Sequence, residues 1–253
     1  MTQKILLIDL GNSNIKWAWV LSADEPLEIL SASHRDIDVV ALGESCWGSV
    51  TAPQRVLMAN VAGMALEKAI DGWMDENWGL SPEIIRPQAK AFGVTLAYQQ
   101  PQQLGVDRWL TLIAAHAMGS RPVCIVDSGT ALTIDVIDAG GRHLGGQILP
   151  GFEMMHKALL AGTRIPAVEP VAALSLLGAE TASCIASGSL HAAGALVDRV
   201  MARTTSMTGI VPKLMFTGSG APLLMKAVEH TGVLFTDLVM QGLRRVAGES
   251  IRP

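Results

Sequence analysis

The sequence predicts an α/β protein built from two similar lobes, each a mixed sheet flanked by helices, with a cleft between the lobes. Of its 253 residues, 49% are hydrophobic, 17% are charged and 25 are glycine, which suits a large core and many tight turns. The pattern apolar-Asp-x-Gly-Asn/Thr occurs at residues 8–12 and again at 126–130, each time between two strand-like runs. Because the two copies lie nearly half the chain apart, we expect one lobe at residues 1–118 and the other at 119–253.

The first lobe is expected to begin with a hairpin. Residues 4–10 form a continuous apolar run, residues 11–14 have turn composition, and residues 15–20 resume as a strand. The elements predicted after this hairpin are strands at 27–31 and 56–60, a helix at 64–77, a polar loop at 92–103 and a helix from residue 104 onward.

The second lobe is expected to repeat the opening hairpin. Residues 123–126 are apolar, residues 127–130 form a turn, and residues 131–137 are strand-like. A further hairpin is expected at Gly140-Gly141. The later elements predicted are helices near 152–161, 179–204, 221–229 and 238–247, with a strand at 213–217.

Charge and hydropathy argue against two classes of partner. The net charge is -4 and the densest basic segment is residues 242–245, so no nucleic-acid partner is expected. No apolar stretch reaches the roughly 18 residues of a membrane span, and the chain start lacks a signal-peptide pattern, so a cytoplasmic protein is predicted. The three cysteines, Cys46, Cys124 and Cys184, predict neither a disulfide framework nor a metal cluster, and Cys124 lies in an apolar run that predicts burial.

The first candidate site is the turn that begins at Asp9. Gly11 lets backbone N–H groups approach phosphate oxygens, and Asn12 and Ser13 add side-chain donors. Lys16 offers a positive charge to a phosphate, and Asp9 could hold Mg²⁺ through water, because Mg²⁺ keeps several waters and takes few carboxylates. An ordinary β-hairpin turn is the alternative interpretation.

The second candidate site is the matching turn at Asp127. Thr130 and Thr133 supply hydroxyl groups beside Gly129, and an ordinary turn is again the alternative. Two such turns, one in each lobe, predict a two-sided phosphate clamp across the cleft. Neither GxxxxGK[ST] nor GxGxxG occurs, so the sequence lacks the P-loop and Rossmann fingerprints.

Two further segments have chemistry that suits a kinase. Asp107 precedes Arg108 at the start of a predicted helix, where the carboxylate could act as general base and the guanidinium could bind an anion. A surface acid near a helix N-terminus is the alternative for Asp107. The Thr-Gly-Ser-Gly turn at 217–220, which contains Gly218, could seat a nucleotide, although alone it is a weak signal.

The order of these motifs resembles the type III pantothenate kinase family, within the acetate kinase/sugar kinase/Hsp70/actin superfamily. The similarity runs along essentially the whole chain and predicts lobes of the actin/ribonuclease H-like fold. The motifs that carry it are Asp-x-Gly-Asn-Ser-x-x-Lys from residue 9, Gly-x-Asp-Arg-Trp at 105–109, Asp-x-Gly-Thr-Ala-x-Thr at 127–133, Gly-Gly-Gln-Ile-Leu-Pro-Gly at 145–151, Thr-Gly-x-Gly at 217–220 and the segment 237–243.

The resemblance implies transfer of the ATP γ-phosphate to the terminal hydroxyl of pantothenate, the first step toward coenzyme A. It implies that Asp107 is the base and that Asp127 binds a monovalent cation, K⁺ or NH₄⁺, while Mg²⁺ accompanies ATP. It implies a homodimer whose neighbouring subunit completes the pantothenate pocket. The residues implied to face phosphates are Asp9, Gly11, Asn12, Ser13, Lys16, Gly129, Thr130, Thr133 and Gly218. The residues implied to hold pantothenate are Tyr98, Gly105, Arg108, His156 and Thr181.

The chain departs from the family pattern at three positions. Ser13 stands where threonine is usual, Gln100 where asparagine is usual, and Ser219 where the second glycine of Thr-Gly-Gly is usual. None of these changes removes a presumed catalytic group. Two other functions stay open at this point: a non-catalytic regulatory protein on the same scaffold, and a kinase or phosphatase acting on another small substrate.

Overall fold

The computed structural model describes residues 4–21, 25–34, 38–172 and 174–249. The elements from the first half are β1 (Ile5–Leu10), β2 (Asn14–Val20), β3 (Ile29–Ser33), α1 (Val39–Trp47), β4 (Arg55–Asn60), α2 (Met64–Trp78), β5 (Glu83–Ile84), β6 (Lys90–Ala91), β7 (Val94–Thr95) and α3 (Val106–Ala117). Those from the second half are β8 (Val123–Ser128), β9 (Ala131–Ile137), β10 (His143–Pro150), α4 (Phe152–Gly162), α5 (Thr181–Thr208), β11 (Lys213–Thr217), α6 (Ala221–Leu224), β12 (Val233–Leu234) and α7 (Leu238–Glu249).

The chain forms two compact units, each assembled from separate stretches of the sequence. The first unit contains residues 1–92, 98–114 and 237–253, and the second contains residues 93–97 and 115–236. The division falls within α3, and α7 groups with the first unit. The lobe boundary after residue 118 therefore stays a prediction, because the units are assembled from interleaved segments.

The two main sheets have the same topology. The first has the strand order β3-β2-β1-β4-β5 and the second the order β10-β9-β8-β11-β12. In each sheet the first strand of the hairpin is antiparallel to the second, and it is parallel to a strand on its other side. Mixed sheets flanked by helices are thus confirmed in both units.

One core layer in the first unit lies between the sheet and helices α1 and α2. Alternate residues of β1 and β2 contribute to it, as the two-residue period of a strand requires. Trp47 and Trp73 from the helices pack with their ring centroids 5.8 Å apart. The tryptophans in this layer are Trp17, Trp47, Trp73 and, at its edge, Trp19 and Trp78, so these large side chains serve as core residues.

In the second unit, α5 covers one face of the sheet. Leu190, Val197 and Met201 of the helix are buried against Val126 and Ile134 of the strands. Cys124 is fully buried in the same layer, and desolvation raises the pKa of its thiol to about 12. The prediction that Cys124 is a small buried core residue is therefore confirmed.

One helix was not predicted, and one predicted helix is shorter than expected. Helix α1 was missed; Asp38 begins it by accepting hydrogen bonds from the N–H groups of Val40 and Ala41 at 3.0 and 3.2 Å. The helix predicted at 221–229 is shorter in the structure: α6 is followed by a 3-10 turn at Met225–Ala227 and by Val228 in extended conformation, after which the N–H of Glu229 donates to the Asp198 carboxylate at 3.1 Å. Among the described helices, none is long and apolar enough to cross a membrane.

Candidate active site

Asp9 lies one residue before the end of β1 and is only 7% exposed. In the antiparallel ladder it is the direct partner of Lys16 on β2, and in the parallel ladder it pairs with Ala59 on β4. Directly opposed residues project on the same face of a sheet. The hairpin therefore puts the predicted carboxylate and ammonium groups on one face, with the lysine exposed.

The turn between β1 and β2 is closed by a hydrogen bond from the Gly11 N–H to the Asn14 carbonyl, at 3.0 Å. Asn12 is exposed and Ser13 is half-buried. The end of β3 lies against this turn: His34 Nε2 is 2.7 Å from the Gly11 carbonyl oxygen. The predicted phosphate-binding residues of the first unit thus share one turn, which a neighbouring strand supports.

The segment that the resemblance assigns to pantothenate also lies in the first unit. The Gly105 carbonyl accepts the N–H of Trp109 at 3.1 Å and so starts the first turn of α3. Asp107 lies in that turn, half-buried, and its Oδ1 accepts the N–H of Arg108 at 2.8 Å. The Arg108 guanidinium, in a residue only 6% exposed, donates to the Tyr98 hydroxyl at 3.2 Å. This segment therefore joins a carboxylate, a buried cation and a phenol.

In the second unit, Asp127 occupies the position on β8 that Asp9 occupies on β1. Its register partners are Thr133 on β9 and Thr217 on β11. A carboxylate flanked by two hydroxyl groups is an all-oxygen set, which hard cations prefer. Thr217 was seen in the sequence only as part of a glycine-rich turn, and its place beside Asp127 emerges from the pairing of β11 with β8.

Backbone groups surround the turn at 128–131. The Ser128 carbonyl accepts the N–H of Gly220 at 2.8 Å, and the Thr130 carbonyl accepts the N–H of Gly151 at 3.0 Å. Gly218 has φ +89°, and a Cβ at this position would overlap both Asp127 Oδ1 and the Ser128 carbonyl. Only glycine combines this backbone conformation with such a close approach.

The remaining predicted residues, His156 and Thr181, lie on neighbouring helices of the second unit. His156 of α4 lines a cavity of about 340 Å³ between α4 and α5, whose other walls are mainly apolar. Its Nε2 is buried without a hydrogen-bond partner among the described residues. Thr181 is exposed at the start of α5, next to Ala182, which lines the cavity. The structure thus brings His156 to a cavity and leaves Thr181 at its edge.

The residues present fit the two metal ions that the resemblance implies. Mg²⁺ is commonly held by one or two carboxylates together with substrate phosphates, and Asp9 supplies one carboxylate beside a turn suited to phosphate. Asp127 and its two hydroxyl neighbours suit a monovalent cation. Within the described ranges, no group of three or more His, Cys, Asp or Glu side chains is placed so that it could hold a metal ion.

Comparison with known proteins decides the family. The sequence profile of type III pantothenate kinase matches residues 5–203. The chain belongs to the type III pantothenate kinase family. A type III pantothenate kinase from Nitrosococcus oceani is 36% identical over 253 residues, which cover 97% of this chain and 94% of that protein. The relatives of this chain are therefore matched over nearly their full length.

Solved structures support the fold. A glucokinase from an Antarctic psychrotroph has a TM-score of 0.50 at 14% identity and covers 98% of this chain and 100% of its own. A Campylobacter jejuni protein assigned to the Baf family of transcriptional activators has a TM-score of 0.58 at 21% identity, covering 97% of this chain and 98% of that one. At these identities the likeness shows the fold alone, so it lends no transcriptional role to this chain.

Proposed function

We propose that this chain is a pantothenate kinase, which uses ATP to phosphorylate pantothenate to 4'-phosphopantothenate, the first step of coenzyme A biosynthesis. The observation that carries the proposal is the match of the family profile to residues 5–203, a range that includes Asp9, Lys16, Asp107 and Asp127. The two departures near these residues, Ser13 and Gln100, leave every proposed charged group in place.

Phosphoryl transfer depends mostly on positioning and charge stabilisation. In the proposed reaction, Asp107 accepts the proton of the pantothenate hydroxyl as the hydroxyl oxygen bonds to the γ-phosphorus. The bond from that phosphorus to the β–γ bridging oxygen breaks, and the electron pair leaves with ADP. Arg108, held by the Tyr98 hydroxyl, binds the pantothenate carboxylate, since a buried guanidinium with a fixed orientation suits a planar anion.

Both glycine turns are proposed to bind phosphate groups of ATP. Lys16 and the donors of residues 11–13 are the proposed phosphate ligands in the first unit, and Gly129, Thr130 and Thr133 are those in the second. Asp9 would hold Mg²⁺, which would neutralise charge on the phosphates, and Asp127 would hold a K⁺ or NH₄⁺ ion, which would supply further positive charge. Gly218 and its turn are proposed to lie against the nucleotide.

A homodimer is also proposed, with His156 and Thr181 contributing to the pantothenate pocket. A run of exposed apolar side chains supports an interface in the second unit: Val171, Leu174, Leu176 and Leu177 are 46%, 53%, 68% and 82% exposed. Contiguous exposed apolar surface is common at protein–protein contacts. Sedimentation velocity tests this proposal, and a monomer at micromolar concentration would contradict it.

The reaction is tested by ADP release from ATP and Mg²⁺, with and without pantothenate, in K⁺ or in Na⁺. We expect turnover that requires pantothenate and rises with K⁺. Asp107→Asn is expected to lower kcat by about 10²- to 10⁴-fold, the usual contribution of a general base. Asp75→Asn, an exposed acid on α2, is the matched control. Turnover of a different alcohol, or none from a folded protein, would favour the alternative functions.

A further inference from the structure

His34 directly follows β3, which ends at Ser33. In the structure it is half-buried and reaches back to the turn of the neighbouring hairpin. Its Nε2 lies 2.7 Å from the carbonyl oxygen of Gly11. A carbonyl oxygen can only accept, so Nε2 carries the proton and donates.

Two weaker contacts hold the same strand end in place. The backbone N–H of His34 and the hydroxyl of Ser33 both donate to the carbonyl oxygen of Ser13, each at 3.4 Å. Together with the His34 ring, these contacts reach Gly11 and Ser13, the first and third residues of the turn.

The contact with Gly11 determines the direction of one peptide group. The described chain contains no cis peptide bonds, and in a trans peptide the N–H points opposite to the preceding C=O. Because the Gly11 carbonyl points at His34, the N–H of Asn12 points away from it. A backbone N–H with a fixed direction is the feature by which a glycine turn binds an anion.

We propose that His34 is a positioning residue for the phosphate-binding turn, orienting the peptide between Gly11 and Asn12 toward the phosphates of ATP. The proposal rests on the proposed function of that turn. It assigns His34 no proton transfer and no direct contact with substrate. It predicts that a neutral donor at the same place is sufficient, whereas a side chain of similar size without a donor is not.

The test compares His34→Gln with His34→Met. The glutamine amide can donate near the position of Nε2, and methionine has a similar length without a donor. We expect His34→Met to raise the KM for MgATP and the Kd for MgADP by about tenfold, the loss of roughly one hydrogen bond. The KM for pantothenate and kcat are expected to change by less than about twofold, and His34→Gln is expected to stay within about threefold of wild type throughout.

Two controls make the outcomes distinct. His230→Met removes a histidine hydrogen bond in the second unit, where the ring Nδ1 lies 2.7 Å from Asp198, and is expected to leave nucleotide affinity unchanged. Ser33→Ala removes the hydroxyl that donates to the Ser13 carbonyl of the same turn at 3.4 Å, and it is expected to raise the Kd for MgADP about twofold, which gives a second measurement on this strand end if His34→Met does not fold.

Three results would overturn the proposal: unchanged nucleotide affinity in a folded His34→Met variant, a Gln variant as weak as the Met variant, or an equal rise in the KM for pantothenate. MgADP binding is measured calorimetrically on each variant and needs no turnover. A wild-type protein that binds MgADP but does not phosphorylate pantothenate would refute the proposed substrate while still testing His34.

Discussion

The two glycine turns occupy the same place in two sheets of the same topology, yet they are supported in different ways. The carbonyl of Gly11 in the first turn accepts from a side chain, His34. The carbonyls of Ser128 and Thr130 in the second turn accept from the backbone N–H groups of Gly220 and Gly151. The first turn can therefore be altered by changing a side chain, whereas the second is sensitive mainly to an added Cβ.

The residues beside each aspartate differ as well. Asp9 has Lys16 and Ala59 as register partners, while Asp127 has Thr133 and Thr217. The first aspartate thus has a cationic side chain as a register neighbour, whereas the second has two hydroxyl groups, and oxygen ligands of this kind are the ones that hard cations take. This difference supports the roles proposed for the two positions, phosphate with its metal at Asp9 and a monovalent cation at Asp127.

Among the changes that distinguish the two turns, the largest effect is expected from adding a methyl group at Gly218, which lies against the second turn. Gly218→Ala would place a Cβ against Asp127 and the Ser128 carbonyl, in a backbone conformation with φ +89°. We expect kcat to fall about 100-fold, because displacing a turn by about 1 Å misplaces the reacting groups. The measurement is ADP release at saturating substrates.

Gly209→Ala is the matched control for this change. Gly209 also has positive φ, +71°, but no atom lies within 4 Å of an added Cβ. It is expected to lose about 1 kcal/mol of stability with kcat retained. Equal kcat losses in the two variants would show that backbone strain, and not the clash at the turn, causes the effect.

The next effect is at the lysine of the first turn. Lys16→Met removes a positive charge beside the proposed phosphates, and a hydrogen bond to a charged group contributes about 2 kcal/mol. We expect kcat/KM for ATP to fall about 30-fold. Lys68→Met, at an exposed position on α2, should leave it unchanged, and comparable losses in both variants would contradict a specific role for Lys16.

A smaller effect is expected to distinguish the role of Asp127 from that of Asp9. Asp127→Asn keeps the size of the side chain but removes the charge that would hold a monovalent cation, so the activation by K⁺ over Na⁺ should disappear while some turnover remains, about tenfold below wild type. Initial rates in the two salts provide the measurement. If K⁺ activation survives in Asp127→Asn and is lost in Asp9→Asn, the assignment of the two turns is reversed.

The smallest effect concerns the first sheet at the end remote from its turn. Arg55, which starts β4, forms a two-pronged ion pair with Glu83 at 2.7 and 2.9 Å. The guanidinium holds the pKa of Glu83 below its ordinary value of 4.5, opposed by partial burial. Since a lowered folded-state pKa stabilises only the ionised form, this contribution is present above pH 4.5 and is lost as the pH falls through the folded-state pKa.

Glu83→Gln is therefore expected to lower the free energy of unfolding by about 0.5 kcal/mol at pH 7, because the pair is partly exposed to solvent. The difference from wild type should shrink below pH 4.5, and activity should not change. Urea unfolding of both proteins at pH 7 and pH 3.5 measures this difference in the free energy of unfolding. A difference that grows on acidification would contradict the direction of the pKa shift.

The strand–turn–strand repeat was predictable because each apolar run is continuous and is followed by glycine and small polar residues. Helix α1 was not, since its signal is Asp38 alone. The early end of α6 was not either: a 3-10 turn and an extended Val228 follow it before Glu229 contacts Asp198 of a different helix. Local pattern therefore predicts elements that have strong signals of their own, and element boundaries are predicted less well.

The candidate site residues also fall into two groups, those that lie in a sequence motif and those placed only by strand pairing. Asp9, Asp107 and Asp127 lie in motifs that can be read along the chain, and their roles stay predictions. Thr217 joins Asp127 only through the parallel pairing of β11 with β8, and His34 meets Gly11 only through the pairing of β3 with β2. Neither pairing has a sequence signal, because strand order in a sheet is set by tertiary packing.

The assignment of α7 to the first unit affects the order in which the chain can fold during synthesis. Leu238, Met240, Leu243 and Val246 are buried, and α7 packs against β1, β2 and β4. The ribosome releases β1 first and α7 more than 200 residues later. The apolar sheet surface that α7 covers is therefore exposed while the second unit is being synthesised. Exposed apolar surface on a nascent chain is the kind of surface that chaperones bind.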